Sequence, residues 1–258
     1  MAKTALITGA SSGIGKELAK YHAGKGGDVI LTARRTKALK ELKSEIEEVY
    51  SVKAHVFSVD LEKAGAAEKL YSDVKKAELE VDILINNAGF GGWGVHIDRD
   101  LDRELAMINL NVKALVVLTH KFGHDMAERG SGKILNVGST AGFLPGPQQA
   151  VYFATKAFVN SFSQAIDQEL RDRGVTCTVL APGYVETEFA EVADLHGTQL
   201  VSARGATAKD VAREGYMGMR AGELISYNDG LLKFALNWLL PFFPRRVVLW
   251  GVDRAQRK

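Results

Sequence analysis

A tyrosine and a lysine stand four positions apart in VYFATKAF, as Tyr152 and Lys156. On a helix that spacing puts both side chains on one face. A free phenol titrates near pH ~10, too high for efficient proton exchange at neutral pH. A neighbouring ammonium favours the phenolate, so the pair is expected to have a lowered phenol pKa. It could then exchange a proton with an oxygen whose charge changes during a reaction. Taken alone, such a pair is more often decoration of a helix surface. Ser139 ends the apolar run KILNVGS. A hydroxyl there can hydrogen-bond a substrate oxygen as charge develops, or simply cap a turn. The elements that position these groups must decide.

Short apolar runs alternate with longer amphipathic ones. Residues 4–8, 29–33, 54–59, 82–87, 133–139 and 175–182 read as strands, nearly continuous in apolar content as strands covered on both faces are. Helices are predicted over 37–50, 64–77, 101–129 and 152–173; in the first, Leu39, Leu42, Ile46 and Val49 fall at spacings of three and four. Such alternation implies right-handed crossovers and an α/β fold, a Rossmann-type doubly wound parallel sheet with helices on both faces. No repeat, low-complexity tract or linker divides the chain, so residues 1–258 are expected to form a single domain. The stretch 187–205 is polar and without period, either a mobile segment over a site or a surface connection. Thr207 with Asp210 marks a capped helix start.

Between the first strand and the first helix lies TGASSGIG, Thr8 to Gly15. Gly9 suits a tight turn, Gly13 lets a pyrophosphate approach the main chain, and Gly15 lets the helix pack closely on the sheet. The helix N-terminus would present unpaired N–H groups and its positive dipole end to that anion. The spacing T-G-x-x-x-G-x-G resembles the short-chain dehydrogenase/reductase family. Further motifs follow in order: NNAG at 86–89, Asn111, Ser139, the YxxxK of Tyr152 and Lys156, and PGYVET at 182–187. The resemblance covers roughly residues 4 to 190 and loosens beyond Thr187, leaving a variable substrate loop at about 187–225 and an apolar tail at about 226–258.

The resemblance implies catalysis by Asn111, Ser139, Tyr152 and Lys156. Tyr152 would exchange the proton as hydride is transferred. Lys156 would also bind the nicotinamide ribose, and Asn111 would hold a water linking Lys156 to solvent. Asn109 and Thr140 are the competing neighbours of Asn111 and Ser139; a packing role for Asn111 also stays open. The resemblance further implies cofactor contacts from Gly9, Ser11, Ser12, Gly13, Ile14, Gly15, Asp60, Leu61, Asn87, Ala88, Gly89, Pro182, Gly183, Val185 and Thr187, besides Tyr152 and Lys156. The place where an NAD-specific site holds a carboxylate is Ala33, followed by Arg34 and Arg35. Guanidinium groups grip a 2′-phosphate. The expected cofactor is therefore NADP(H) rather than NAD(H), with two solvated arginines as the alternative. No set of metal ligands stands out.

With 33 basic and 31 acidic residues, no dense basic patch points to nucleic acid. The lone Cys177 lies in an apolar run and reads as a buried small side chain in a reducing, cytoplasmic setting. No room for a signal peptide precedes the first strand, and Lys233, Pro241, Pro244, Arg245 and Arg246 interrupt the most apolar stretch, 231–252, so no spanning segment is read there. Phe90, Trp93, Phe143 and Leu144 would flank the reacting carbonyl. Phe234, Trp238, Leu239, Phe242 and Phe243 would pack as core or line a cleft. These favour a hydrophobic ketone or 3-oxoacyl-type substrate. Sugars or polyols, and a non-catalytic dinucleotide-binding sensor or scaffold, are the alternatives. FFPRR beside VVLW joins apolar and cationic residues as lipid-surface segments do, an option weighed below core packing or a subunit contact. The resemblance also implies a homodimer or homotetramer through the helices at 101–129 and 152–173.

Overall fold

Branched and aliphatic residues favour extended backbone, and the apolar runs form strands. In the computed structural model, β1 (Thr4–Thr8), α1 (Gly13–Ala23), β2 (Asp28–Ala33), α2 (Thr36–Tyr50), β3 (Ala54–Ser58), α3 (Ala66–Lys76) and β4 (Ile83–Asn86) alternate along the chain. After β4 come α4 (Leu101–Ile108), a π-helical turn (Asn109–Ala114), α5 (Leu115–Glu128), β5 (Gly132–Val137), α6 (Ala150–Leu170) and β6 (Val175–Leu180). The structure describes residues 3–198 and 205–258; positions 199–204 of the variable loop lie outside the described residues.

The remaining elements are short: β7 (Val185–Glu186), α7 (Phe189–Val192), β8 (Ala206–Thr207) and β9 (Ile225–Ser226), with the longer α8 (Ala208–Ala221) between the last two strands. Thr207 caps α8, its Oγ1 accepting from the Asp210 N–H at 3.1 Å. The tail forms α9 (Gly230–Phe234), running on through a π turn and a 3-10 turn to Phe242, and then α10 (Arg245–Gln256).

Seven strands form a parallel sheet in the order β3-β2-β1-β4-β5-β6-β9. The chain winds one way from β1 to β3 and the other way from β4 onward. The switch point therefore falls between β1 and β4, where open α/β sheets leave a crevice at the strands' carboxyl ends. Strand side chains alternate between two cores. Ile7, Leu31, Ile85 and Leu135 pack with Leu18, Leu39, Ile46 and Met219 on one face. Leu6, Ile30, Leu84, Ile134 and Cys177 pack with Leu70, Leu118, Phe122 and Met126 on the other. Burial pushes the Cys177 thiol pKa up, so it stays protonated.

The helix expected over 101–129 is interrupted. At Asn109–Ala114 the turn widens to π geometry, which shifts the face that follows and brings Asn111 to a buried position. The whole run Leu101–Glu128 is long and apolar enough to cross a membrane by length and composition. Here it packs in the fold, with Met107, Leu115, Leu118, Phe122 and Met126 buried. A buried polar ladder fastens the strand ends beneath the crevice. Asn86 Nδ2 donates to Asn136 Oδ1 at 2.9 Å and to Thr119 Oγ1 at 3.0 Å, and Asn136 Nδ2 donates to Ser163 Oγ at 2.9 Å. In a low-dielectric interior such bonds fix geometry because breaking one strands a buried polar group.

Candidate active site

The strands' carboxyl ends open into a cleft of about 940 Å³. One end is the glycine turn. Gly9 and Gly13 hold φ of +68° and +53°, a region that favours glycine. A Cβ at Gly9 would meet Asn87 Nδ2 at 2.7 Å, and one at Gly15 would run into the Gly9 carbonyl. Asn87 Nδ2 donates to Thr8 O at 2.9 Å, while Thr8 Oγ1 accepts from the Asn87 and Ala88 N–H groups, each at 3.0 Å. The NNAG segment thus braces the turn. Ser12 caps α1 with extended backbone and no side-chain cap bond, so the helix's first N–H groups stay available to an anion. Ser11, Ser12, Gly13 and Ile14 line the cleft there; Gly15 does not, and its contribution is the close packing beneath.

At the end of β2, Ala33 faces the cleft with Arg34 and Arg35 beside it. Both guanidinium groups already have carboxylate partners. Arg34 Nη1 lies 2.6 Å from Glu62, which also lies 3.7 Å from Arg103. Arg35 pairs with Glu188 at 2.9 Å and donates to Ser11 Oγ at 3.2 Å. Glu188 is held below the usual carboxylate range by its bonds to Arg35 and, more weakly, Ser12. Asp60 and Leu61 line the same wall, Asp60 Oδ1 accepting the Glu62 N–H at 3.2 Å. Glu62 and Glu188 are functional candidates that sequence reasoning missed. Acidic residues beside Asp60 and after Thr187 were visible, but their pairing across the cleft depends on tertiary structure.

The other end holds the proton-handling groups. Tyr152 and Lys156 rise from the first turns of α6, and Lys156 Nζ lies 5.8 Å from the tyrosine ring centroid. Lys156 Nζ donates to Val137 O at 2.7 Å. Ser139 ends the β5 connection; its Oγ accepts from the Ala141 N–H at 3.1 Å and donates to Pro182 O at 3.4 Å. Asn160 Nδ2 donates to Ser139 O at 3.0 Å and fixes that turn against α6. Tyr152 packs against Phe189, with centroids 5.3 Å apart. Ala88, Gly89, Pro182, Gly183, Val185 and Thr187 complete the lining.

One expectation changes on this geometry. The phenol is not lowered by its lysine neighbour. Burial pushes Tyr152 up to about 12, a hydrogen bond from Ser139 opposing the shift, and burial pulls Lys156 down to about 8. Burial against the apolar lining of the cleft is the largest cause of both shifts. Asn111 does not line the cleft. Its Nδ2 donates to Phe90 O at 2.9 Å and to Thr155 Oγ1 at 3.1 Å, and its Oδ1 accepts the Phe90 N–H at 3.1 Å. These bonds hold the segment after NNAG, and a Cβ on Gly89 would meet both Asn111 Oδ1, at 2.9 Å, and Lys156 Nζ, at 3.7 Å, so the amide stands beside the lysine.

The apolar flanks are also resorted. Phe90 and Leu144 line the cleft, whereas Phe143 stacks on Tyr227 and Trp93 Nε1 donates to Gln256 O at 2.7 Å. In the tail, Leu239 and Phe243 line the cleft, but Phe234, Trp238 and Phe242 are exposed rather than core. Leu232, Leu236, Leu240, Val248 and Val252 were missed and form the roof. Gln149, three residues before the tyrosine, donates to Gln256 Oε1 at 2.6 Å and ties the roof down.

A doubly wound sheet, a glycine cradle at its switch point and a Ser–Tyr–Lys cluster at the far end of one cleft define a protein of the dinucleotide-binding α/β class. The family described as short chain dehydrogenase matches residues 3–196. The very-long-chain 3-oxoacyl-CoA reductase of Homo sapiens is 36% identical over 195 residues, 73% of this chain and 61% of the relative. Sulfoacetaldehyde reductase 2 of Chromohalobacter salexigens is 38% identical over 194 residues, 74% of this chain and 76% of that one. Among solved structures, a short-chain dehydrogenase from Sphingobium yanoikuyae in complex with NADPH superposes with TM-score 0.83 at 27% identity, covering 94% of this chain and 96% of that chain. The chain belongs to the short-chain dehydrogenase family. It spans about three fifths (61%) of the human relative's length, and the family match stops before the tail.

Proposed function

We propose that the protein is an NADP(H)-dependent oxidoreductase that interconverts a carbonyl and a secondary alcohol on a hydrophobic ketone or 3-oxoacyl-type substrate. The observation that carries this reading is the single cleft that joins a glycine cradle and two arginines at one end to Ser139, Tyr152 and Lys156 at the other. The cradle fits a dinucleotide: Gly9 and Gly13 leave the main chain bare along its wall, and the N-terminus of α1 offers open N–H groups. Arg34 and Arg35 fit a 2′-phosphate once they exchange Glu62 and Glu188 for it. When bound, the reduced nicotinamide supplies the hydride.

The chain's own residues then handle one proton. The Ser139 hydroxyl proton, on a long 3.4 Å bond to Pro182 O, turns from it to donate to the substrate oxygen. Tyr152, protonated at neutral pH, gives its proton to that oxygen as negative charge arrives, since an alkoxide is more basic than a phenolate. In the reverse direction Tyr152 accepts the proton. Lys156, charged below about 8, stabilises the phenolate left behind. Phe153, Phe189 and the tail roof keep water away while this happens.

The named relatives act on unlike substrates, a very-long-chain 3-oxoacyl-CoA and sulfoacetaldehyde by their names. This cleft favours the apolar class. Among the described lining residues its cations are Arg34, Arg35 and Lys156, which leaves no second cation for a sulfonate near Tyr152. Self-association through α4 and α6 is supported by the exposed Leu105, Ile108 and Phe158. A reducing, cytoplasmic location suits the buried Cys177. The test is a panel of ketones graded in size, offered with NADPH and with NADH and followed at the nicotinamide absorbance band. Turnover of bulky apolar ketones with NADPH, absent in Tyr152→Phe, is expected. Full activity in that variant removes the assigned proton transfer.

A further inference from the structure

The tail lies over the cleft with one face turned inward and another turned to solvent. Along the run from Gly230 to Phe242, Leu232, Leu236 and Leu240 point into the cleft. Leu231, Phe234, Trp238 and Phe242 recur at spacings of three and four on another stripe. That stripe is bare: Leu231, Trp238 and Phe242 are 79%, 69% and 82% exposed. In α10 the same division holds. Val248, Val252 and Ala255 face the cleft, while Arg246, Trp250 and Arg254 form an outward row at spacings of four. The Arg254 guanidinium sits 5.6 Å from the Trp250 ring centroid. Phe243 and Val247 belong to both faces, lining the cleft while remaining exposed, so the rim of the cleft lies on this surface.

Charge selects the occupant. Residues 230–258 carry Lys233, Arg245, Arg246, Arg254, Arg257 and Lys258 against one acidic side chain, Asp253, although the whole chain is nearly neutral. Among the described residues Arg257 is paired with Asp253 and Lys258 with Asp194, at 2.6 and 2.9 Å. Lys233, Arg245, Arg246 and Arg254 have no carboxylate partner in that set. A two-fold contact would set this cationic face against its own copy, which costs free energy. Exposed aromatic and leucine side chains flanked by arginines are instead the composition that settles at a lipid headgroup boundary, apolar groups in the acyl region and cations on anionic headgroups.

We infer that the C-terminal helices dock this protein on an anionic lipid surface, through Trp238, Phe242 and Trp250 with Arg245 and Arg246. The cleft rim at Phe243 and Val247 then opens toward the acyl layer. Resting on the proposed function for this point alone, an apolar ketone could pass from lipid to cleft without crossing water.

The test sediments the full chain at low salt with vesicles of phosphatidylcholine, alone or mixed with phosphatidylserine. Binding to the mixed vesicles is expected, at least about tenfold weaker on the neutral ones and falling as salt rises. Arg245→Glu/Arg246→Glu and Trp238→Ala/Phe242→Ala should each weaken it at least about tenfold. None of these side chains lines the cleft, so NADPH binding, followed by fluorescence, is unchanged and certifies the fold. Should a variant lose NADPH binding, the salt and headgroup dependence of the unaltered chain decides. No binding at low salt overturns the inference. So does a concentration-dependent oligomer that Trp238→Ala/Phe242→Ala dissociates, because a second copy then covers the face. Turnover enters none of these readouts, so an enzyme assay that fails leaves the result intact.

Discussion

Around the glycine turn, main chain and buried polar side chains interlock: Thr8 with Asn87 and Ala88, Asn86 with Asn136, Asn111 with Phe90. Over the far side of the cleft, the tail is tied at scattered points, through Gln256, which accepts from Gln149 and Trp93, through Asp253, which accepts from Gln148, and through Lys258 on Asp194, with apolar contacts between them. The first region holds atoms to fixed positions, as charge and proton transfer demand. The second supplies an apolar surface, on which the proposed function has hydrophobic substrates sorted. The Ser–Tyr–Lys cluster stands at the end of β5 and the start of α6, whereas the roof is built from the part of the chain that the family match does not reach.

Substitutions on the fixed side should therefore be severe and independent of substrate. Tyr152→Phe is expected to lower kcat by about 10²–10⁴-fold for large and small ketones alike, with NADPH affinity unchanged. A loss that varied with ketone size would break the division. Next in size is cofactor choice. Ala33→Asp with Arg34→Gln places a carboxylate where a 2′-phosphate is expected and removes one guanidinium. The preference for NADPH over NADH should fall by about 100-fold, read as a ratio of kcat/KM values. An unchanged ratio would show that Arg34 is not the discriminator.

The pH response tests the same side. At neutral pH the free enzyme carries a Lys156 ammonium, with pKa about 8, and a Tyr152 phenol, with pKa about 12. For reduction, kcat/KM should be level below the lysine value and fall about tenfold per pH unit above it. Stability carries an independent signature. The unfolded chain returns Lys156 to its ordinary 10.5, so between 8 and 10.5 the unfolded state binds more protons. Wild-type stability measured against Lys156→Met should therefore rise with pH across that window. A difference in denaturant midpoint that stays flat from one end to the other would place the ammonium in contact with water.

How far each region was legible in the sequence follows the same line. Strands such as 4–8 and 175–180 were readable because continuous aliphatic runs leave a buried strand as the favoured solution. The glycines, Tyr152 and Lys156 were readable because backbone geometry and helical spacing act locally. The two-residue strands β7, β8 and β9 are too short to show a period. The π turn at Asn109–Ala114 left no signal, since NLNVKA suits an ordinary helix equally well. Leu232 and Trp238 look alike as apolar tail residues, yet one faces the cleft and the other solvent. The phenol's pKa was misjudged for a related reason: lysine proximity is written in the spacing, whereas burial by Phe153, Phe189 and the roof is not.

On the adjustable side effects should be smaller and should depend on substrate. Gln256→Ala leaves the buried Gln149 amide without its partner and loosens α10. KM for a bulky apolar ketone should rise about five- to tenfold, while a short ketone is turned over as before. Equal effects on both would make the roof part of the fixed machinery.

The smallest effect is expected where the two regions meet. Glu188, in the connection leading from the sheet to the loop, reaches back to Arg35 at the glycine turn. Its carboxylate stands beside Ser12 and takes up part of the positive charge that a dinucleotide phosphate needs. Both partners are about half exposed, so the pair is weak and exchange for a phosphate is cheap. Glu188→Gln keeps the shape and removes the competing charge. NADPH should bind about two- to fivefold tighter, the gain shrinking as salt screens the pair. NADH should gain less, because the arginine freed by the change finds no 2′-phosphate to hold. A weaker NADPH complex in this variant would mean that Glu188 positions Arg35 for the cofactor instead of competing with it.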